Sequence, residues 1–339
     1  MKAVRINKVE NLEIVDLEEV QIKEPDDVKI KIKAVGICGS DVGIYKGSNP
    51  MAKYPRVIGH EMTGIVEEVG KEVKNFKKGD KVVVDPVINC GECKNCKNGR
   101  PNICENLKVR GVHVEGGFSE KIVVKDYQTY KVNKDMPFNR SVLIEPFSIG
   151  FQANRRADVK KDDVVFVMGA GTIGQTVARV AQYFGAKVFT SDMDQKKLER
   201  AKKFGMIPID VNTQDPIEFI KENNEGRLAD VVVDAICTPK TFEIAVKSAA
   251  SAGRVINLGF STQPSQIASV DITSKELDIL GSRLSNKRFP EVIEAYNTGK
   301  LSFDDLVSHE MEFEDAEKAI KMIIDKDIYT EKIVLTLEN

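Results

Sequence analysis

Residues 164–174 read VVFVMGAGTIG. The first five, Val164–Met168, form an unbroken apolar run, the pattern of a strand covered on both faces. Gly169, Ala170, Gly171, Thr172, Ile173 and Gly174 then spell GxGxxG, followed by a helix predicted over Thr176–Phe184. The first glycine permits a tight turn, and the second lets a pyrophosphate approach the backbone. The third allows close packing of helix on strand, and the helix N-terminus faces the phosphate charge. A strand before the motif and a helix after it make an otherwise weak signal specific. Asp192 ends the next strand, Lys187–Ser191, 18 residues beyond Gly174 (192 − 174). A carboxylate there accepts hydrogen bonds from ribose hydroxyls and repels a 2′-phosphate, so NAD is expected rather than NADP.

The same alternation continues outward. A helix is predicted over Asp194–Phe204, a buried strand over Val231–Ala235 and a helix near Lys240–Ala252, then strands at Arg254–Leu258 and Leu277–Leu280. Strands alternating with helices imply an α/β unit with a parallel, doubly wound sheet. Before about residue 145 the text changes. Val28–Val35 alternates apolar and charged residues, Ile65–Val69 and Lys81–Asp85 are short β-branched runs, and Gly59, Gly64, Gly70 and Gly79 punctuate them as turns or bulges. This predicts a small barrel of short strands. The tail predicts helices at Pro290–Thr298 and Phe313–Asp325 and a strand at Lys332–Leu337, which is expected to return to the first domain.

With 339 residues the chain is long enough for two cores. Its net charge of −2 gives no electrostatic case for nucleic acid or an anionic membrane. The basic cluster Lys196, Lys197, Arg200, Lys202 and Lys203 is interspersed with acids and reads as a solvated helix face. Neither a secretory signal nor a membrane-length apolar run is found, so a cytoplasmic protein with reduced thiols is expected. Its six cysteines therefore call for metal or reactivity rather than disulfides.

Four of them, Cys90, Cys93, Cys96 and Cys104, are spaced C-x2-C-x2-C-x7-C. Four thiolates close a tetrahedral shell around zinc and leave no position for chemistry, so this is a structural site. Cys38 in GICGSD, His60 and Glu61 in GHEMTG, and Glu145 in LIEP supply a different set. A sulfur, an imidazole and one or two carboxylates suit a zinc with an open position, although no local spacing proves that they meet. Such a zinc polarises an alcohol oxygen and lowers its pKa, and hydride then passes to nicotinamide.

Taken together, in this order along nearly the whole chain, these motifs resemble the zinc-containing medium-chain dehydrogenases of the polyol and sugar-acid branch. The resemblance implies a GroES-like β-barrel catalytic domain, residues 1–145 and 285–339, with its zinc lobe at about 88–106. A Rossmann NAD-binding domain, 146–284, is inserted between them. It implies two zincs per chain: a catalytic one on Cys38, His60 and a glutamate, with Glu61 and Glu145 both open as the carboxylate, and a structural one on the four cysteines. It implies that Leu258, Gly259 and Ser282, at the Gly259 and Gly281 turns, lie by the nicotinamide. Ser40 would take the alcohol proton and pass it through the nicotinamide ribose toward solvent. Many relatives carry a His five residues after the zinc cysteine; Gly43 stands there, leaving Asp41, Tyr45 or water for the outer relay. A homo-oligomer, dimer or tetramer, is also implied.

The segments Tyr54–Glu61, Gly111–Glu120, Leu143–Phe147 and Gly281–Arg283 resemble L-galactonate or L-gulonate 5-dehydrogenases more than sorbitol dehydrogenase. Such enzymes oxidise C5 of a hexonate to a keto acid. A sugar acid needs a cationic anchor, for which Arg110, His113 and Arg283 are candidates, and Phe118 is a further substrate-side candidate. A neutral polyol such as sorbitol is the alternative. L-threonine is disfavoured by Val87, Ile88 and Asn89, where its dehydrogenases carry a His. A catalytically silent NAD-binding sensor is the reading outside enzymology.

Overall fold

The computed structural model describes residues 1–326 and 328–337. It divides into two compact units. One comprises Met1–Glu145, Ser285–Asn297 and Phe303–Asn339; the other comprises Pro146–Leu284 and Thr298–Ser302.

The second unit carries a six-stranded, wholly parallel sheet in the order Ile207–Asp210, Lys187–Asp192, Val164–Met168, Ala229–Asp234, Ala249–Asn257, Asp278–Gly281. Numbered by sequence this is the 3-2-1-4-5-6 Rossmann order. The apolar run Val164–Met168 is buried along its whole length. Val165 and Val167 enter one core cluster, and Val164, Phe166 and Met168 enter the other, so one strand supplies both faces of the sheet. The helix after the glycine loop starts at Thr172, four residues earlier than predicted, with Gly171 as its N-cap. The predicted helix to Ala252 stops at Ser248, and the following strand begins at Ala249, where it pairs with Ala229. The strand Ile207–Asp210 and helix Pro216–Glu222 went unread because each is short and flanked by polar residues.

The basic helix, Gln195–Lys203, is not solvated throughout. Arg200 is buried and donates through Nη2 to the Ala170 carbonyl at 3.3 Å, reaching back to the glycine loop.

The first unit holds a seven-stranded sheet with Asp27–Gly36 at its centre. Glu61–Val69 and Lys121–Lys125 pair antiparallel with that strand, as does the late strand Lys332–Thr336. The early alternation holds, since Val28, Ile30, Ile32 and Ala34 are all fully buried. Lys29, however, is buried too. Its ammonium lies 2.7 Å from Glu19 and 3.5 Å from Glu67, and Lys121 bridges the same two acids. Of turn or bulge, Gly64 sits at the second: it lies inside a strand that begins at Glu61, where the register shifts. A Cβ at Gly64 would collide with the Lys31 carbonyl, so glycine is required by close strand approach beside a register shift.

Candidate active site

The strand Asp27–Gly36 ends just before Cys38, and Cys38 caps the short helix Gly39–Tyr45. Gly36 is opposite Glu61 on one neighbouring strand and opposite Val334 on the other. This register places residues from three distant parts of the chain around one point. Donor atoms of Cys38, His60 and Glu61 all lie within 4.8 Å of one another, and His60 and Glu61 are buried. A Cβ on Gly36 would collide with Glu61 Oε2, so glycine leaves the space that this carboxylate fills.

Asp41, one of the alternatives for the outer relay, is engaged inside the cluster. It is fully buried, accepts from Cys38 N at 2.9 Å and from Gly59 N at 3.2 Å, and its Oδ1 lies 3.7 Å from His60 Nδ1. It therefore fixes the two backbone segments that carry the sulfur and the imidazole. Burial raises the Asp41 pKa, partly offset by His60. Burial pulls the His60 pKa down, but Asp41 and Cys38 outweigh it and hold the imidazole well above its ordinary range. The cluster is thus short of positive charge.

Zinc fits these residues. The donors are a thiol, an imidazole and a carboxylate, each a zinc ligand type, and three protein ligands leave the fourth position open. Glu61 Oε2 is buried without a hydrogen-bond partner among the described residues, the condition a bound cation relieves, while His60 Nδ1 faces the Asp41 carboxylate and leaves the other ring nitrogen for a metal. Glu145 is not one of the three clustered donors. It is buried near the start of the helix Ile144–Arg156, and burial pushes its pKa up to about 8, against the opposing pull of His60. Ser40 lies two residues from Cys38 and is partly exposed.

Lys332 was not foreseen. It heads the late strand, is buried, and donates to Glu61 Oε1 at 2.5 Å and to the Ile37 carbonyl at 3.0 Å. Burial lowers its pKa, but Glu61 and Cys38 raise it further, so the ammonium is retained. The signal was present in the sequence: a lone charge opening the apolar run Lys332–Leu335.

The four-cysteine lobe closes as its spacing implies. Sulfur separations are 3.4 Å for Cys90–Cys104 and 4.0 Å for both Cys90–Cys96 and Cys93–Cys104. Zn–S bonds of about 2.3 Å in a tetrahedron require about 3.8 Å between sulfurs, so zinc fits here as well. Backbone N–H groups of Cys90, Cys93 and Asn106 aim at the sulfurs. N–H groups of Glu105 and Cys96 bring the Cys93 pKa down to about 6, whereas burial pushes Cys96 up to about 12.

In the second unit, Gly171 leaves open backbone: an added Cβ would find only Lys197 Nζ, at 3.9 Å. At Gly174 it would collide with the Gly169 carbonyl, as the close-packing role requires. Asp192 is already engaged. Its Oδ2 accepts from Ala170 N at 2.9 Å, and its Oδ1 from Met193 N and Asp194 N. Each oxygen retains acceptor capacity for a ribose hydroxyl. Leu258 packs on the core, Gly259 N donates to Asn257 Oδ1 at 2.7 Å, and Ser282 N to the Asn257 carbonyl at 3.1 Å. Ser282 is buried.

The substrate-side residues separate. Phe118 has no exposed surface and packs where a Gly59 Cβ would be, so it meets no ligand without local opening. Arg110 is largely buried and donates to Gln128 Oε1 at 3.3 Å, and Gln128 in turn donates to the Asp85 and Val87 carbonyls. His113 Nδ1 accepts from Val109 N at 3.1 Å. Both residues brace the approach to the cysteine lobe. Arg283 is partly exposed and lies over the Phe260 ring at 5.2 Å.

Comparison with known proteins accounts for this pairing of sites. The model of the alcohol dehydrogenase GroES-like domain matches residues 24–134, and that of the zinc-binding dehydrogenases matches residues 172–298. The starvation-sensing protein RspB of Escherichia coli (strain K12) is 38% identical over 99% of both chains. This chain belongs to the zinc-binding alcohol dehydrogenase family. A further family member, L-idonate 5-dehydrogenase of Vitis vinifera, is 34% identical over 88% of this chain and 84% of its own. A solved structure described as a short chain alcohol dehydrogenase (rspB) of E. coli CFT073, complexed with NADH, superposes with a TM-score of 0.93. It is 37% identical, with 99% of each chain covered. Membership makes the protein a zinc- and NAD-dependent alcohol dehydrogenase of the polyol and sugar-acid branch. Among the described residues, no helix is long and apolar enough to cross a membrane.

Proposed function

We propose that this dehydrogenase oxidises the C5 hydroxyl of a sugar acid of the L-galactonate or L-gulonate type, taking the alcohol and NAD⁺ to a keto acid, NADH and a proton. The observation that carries the reading is the cluster of half-buried Cys38 with buried His60 and Glu61, Glu61 Oε2 unpartnered, a donor set ready for a metal with an open position. The relative named for L-idonate, a hexonate, with its position 5, supports the substrate class. Arg283, partly exposed and stacked on Phe260, is the candidate for gripping the carboxylate.

Cys38, His60 and Glu61 would hold the catalytic zinc, with Glu145 as a nearby buried acid. When bound, zinc acts as a Lewis acid that lowers the pKa of the alcohol oxygen. Ser40 accepts the alcohol proton, as its partly exposed place beside Cys38 allows. Gly169–Gly174 and the helix beginning at Thr172 would hold the pyrophosphate, Asp192 the adenosine ribose, and Leu258, Gly259 and Ser282 the nicotinamide end. The cysteine lobe would hold the second zinc. The six free cysteines suit a reducing compartment, and we place the enzyme in the cytoplasm as a dimer or tetramer.

The name of the starvation-sensing relative favours a second reading, a silent NAD-binding sensor. Retention of the whole donor set speaks against it. The test is NADH formation by zinc-replete protein offered L-galactonate, L-gulonate, sorbitol, xylitol and L-threonine. Preference for the hexonates, lost in Arg283→Ala, is expected. Preference for sorbitol or xylitol would replace the sugar acid with a neutral polyol. No turnover with NADH still bound would establish the sensor.

A further inference from the structure

Lys332 is not among the clustered donors of the candidate metal site, yet it is buried in a group of charges around them. Asp41, Glu61, Glu145 and Lys332 are all buried there around Cys38 and His60. Its ammonium makes two contacts. One goes to Glu61 Oε1 at 2.5 Å and the other to the carbonyl of Ile37, the residue before Cys38. The two contacts join the carboxylate donor to the segment that carries the sulfur donor. They also divide the labour of the Glu61 carboxylate: Oε1 is taken, and Oε2 is the oxygen left unpartnered. Gly36 keeps the space around Oε2 clear.

We infer that Lys332 is a positioning residue that clamps Glu61 through Oε1, so that the carboxylate meets the catalytic metal through Oε2 alone and stays in register with Cys38. The inference rests on the proposed metal site. A clamp of this kind has a sign that simple electrostatics lacks. An ammonium close to a metal cation repels it, so its removal acting by charge alone would tighten metal binding. Loss of a supporting contact to a ligand works in the opposite direction and typically weakens metal affinity or activity by roughly 10–100-fold. The direction of the change therefore separates the two.

The probe is Co²⁺ in place of zinc, with occupancy and affinity read by chelator competition and coordination read from the visible absorption of the cobalt protein. Four proteins are compared: the wild type, Cys38→Ala, Lys332→Met and Lys332→Arg. Cys38→Ala should lose one metal per chain and the corresponding absorption; if it loses neither, the site assignment itself fails. Given that loss, Lys332→Met is expected to hold its second metal roughly 10–100-fold more weakly, with altered cobalt bands and an unchanged four-cysteine metal. Lys332→Arg, which keeps charge and donors, should recover part of both signals. Tighter or unchanged binding in Lys332→Met, with bands superimposable on the wild type, overturns the clamp. Should the Met variant not fold, Lys332→Gln keeps a donor without the charge and is read by the same criteria.

Discussion

The four-cysteine lobe and the Cys38 cluster lie in the same compact unit and are both suited to zinc, but they are assembled differently. The lobe draws its sulfurs from Cys90 to Cys104, a separation of 14 residues, and orients them with local backbone N–H groups. The Cys38 cluster takes donors from just past the end of one strand and from the start of a second, and a counter-charge from a third, with Glu61 and Lys332 separated by 271 positions. Its orienting groups are themselves buried charges. In a low dielectric, removing one member of such a set leaves another uncompensated, so small changes there are expensive. The lobe is secured by neutral dipoles, and its cost of failure falls on folding instead.

The contrast predicts separable consequences. The largest is at the open cluster. Cys38→Ala or His60→Ala should reduce turnover by about 10³-fold or more, since Lewis-acid assistance supplies several kcal/mol. The fold and the lobe metal should persist, and circular dichroism with metal analysis checks both. Retained turnover would break the assignment. Cys104→Ser should do the reverse in kind: the lobe metal is lost and the melting temperature falls by roughly 10 °C or more, as several kcal/mol of stabilisation disappears. A thermal melt unchanged by the substitution would show that the lobe needs no metal. Gly36→Ala sharpens the comparison, because its new methyl collides with Glu61 Oε2 and touches nothing in the lobe. Metal affinity or kcat at the open cluster should drop by roughly 10–100-fold, with lobe metal unchanged.

The smallest effect concerns Asp85, buried at the base of the lobe, where it accepts from Val87 N at 3.0 Å and Ser285 Oγ at 3.1 Å. Burial pushes its pKa from 3.8 up to about 6. The folded state therefore holds this proton more tightly than the unfolded chain does. Stability from this group is present below about pH 4 and is lost as pH rises through about 6. Asp85→Asn removes that dependence. It should gain at most about 3 kcal/mol over the wild type at pH 8, with the gain vanishing near pH 4 and turnover unaffected. Denaturant titrations at the two pH values check it; an equal difference at both would refute it.

The sequence was readable where chemistry is local. Val164–Gly174 announced its strand, turn and helix because burial on both faces and phosphate approach are coded within 11 consecutive residues. The lobe was readable for the same reason. Cys38, His60 and Glu61 could be named but not brought together, because their meeting depends on strand register. Lys332 and Gly36 were missed for a related reason: neither residue type suggests its role until the facing strand is known. Phe118, Arg110 and His113 had plausible substrate chemistry; packing on Gly59 and hydrogen bonds to Gln128 and from Val109 N give each a structural contact that residue type alone does not reveal.

The interrupted layout of the first unit also bears on biosynthesis. A ribosome delivers the chain from the N-terminus, and domains fold largely as they emerge. The dinucleotide loop and all six strands of its sheet exist once Gly281 has been made. Cys38, His60 and Glu61 emerge far earlier, yet they lack their buried counter-ion until Lys332 appears and the strand Lys332–Thr336 docks beside Asp27–Gly36. The nascent protein therefore has the strands of its nucleotide-binding sheet before its metal pocket is complete, and loading of the pocket in its final form must follow synthesis of Lys332.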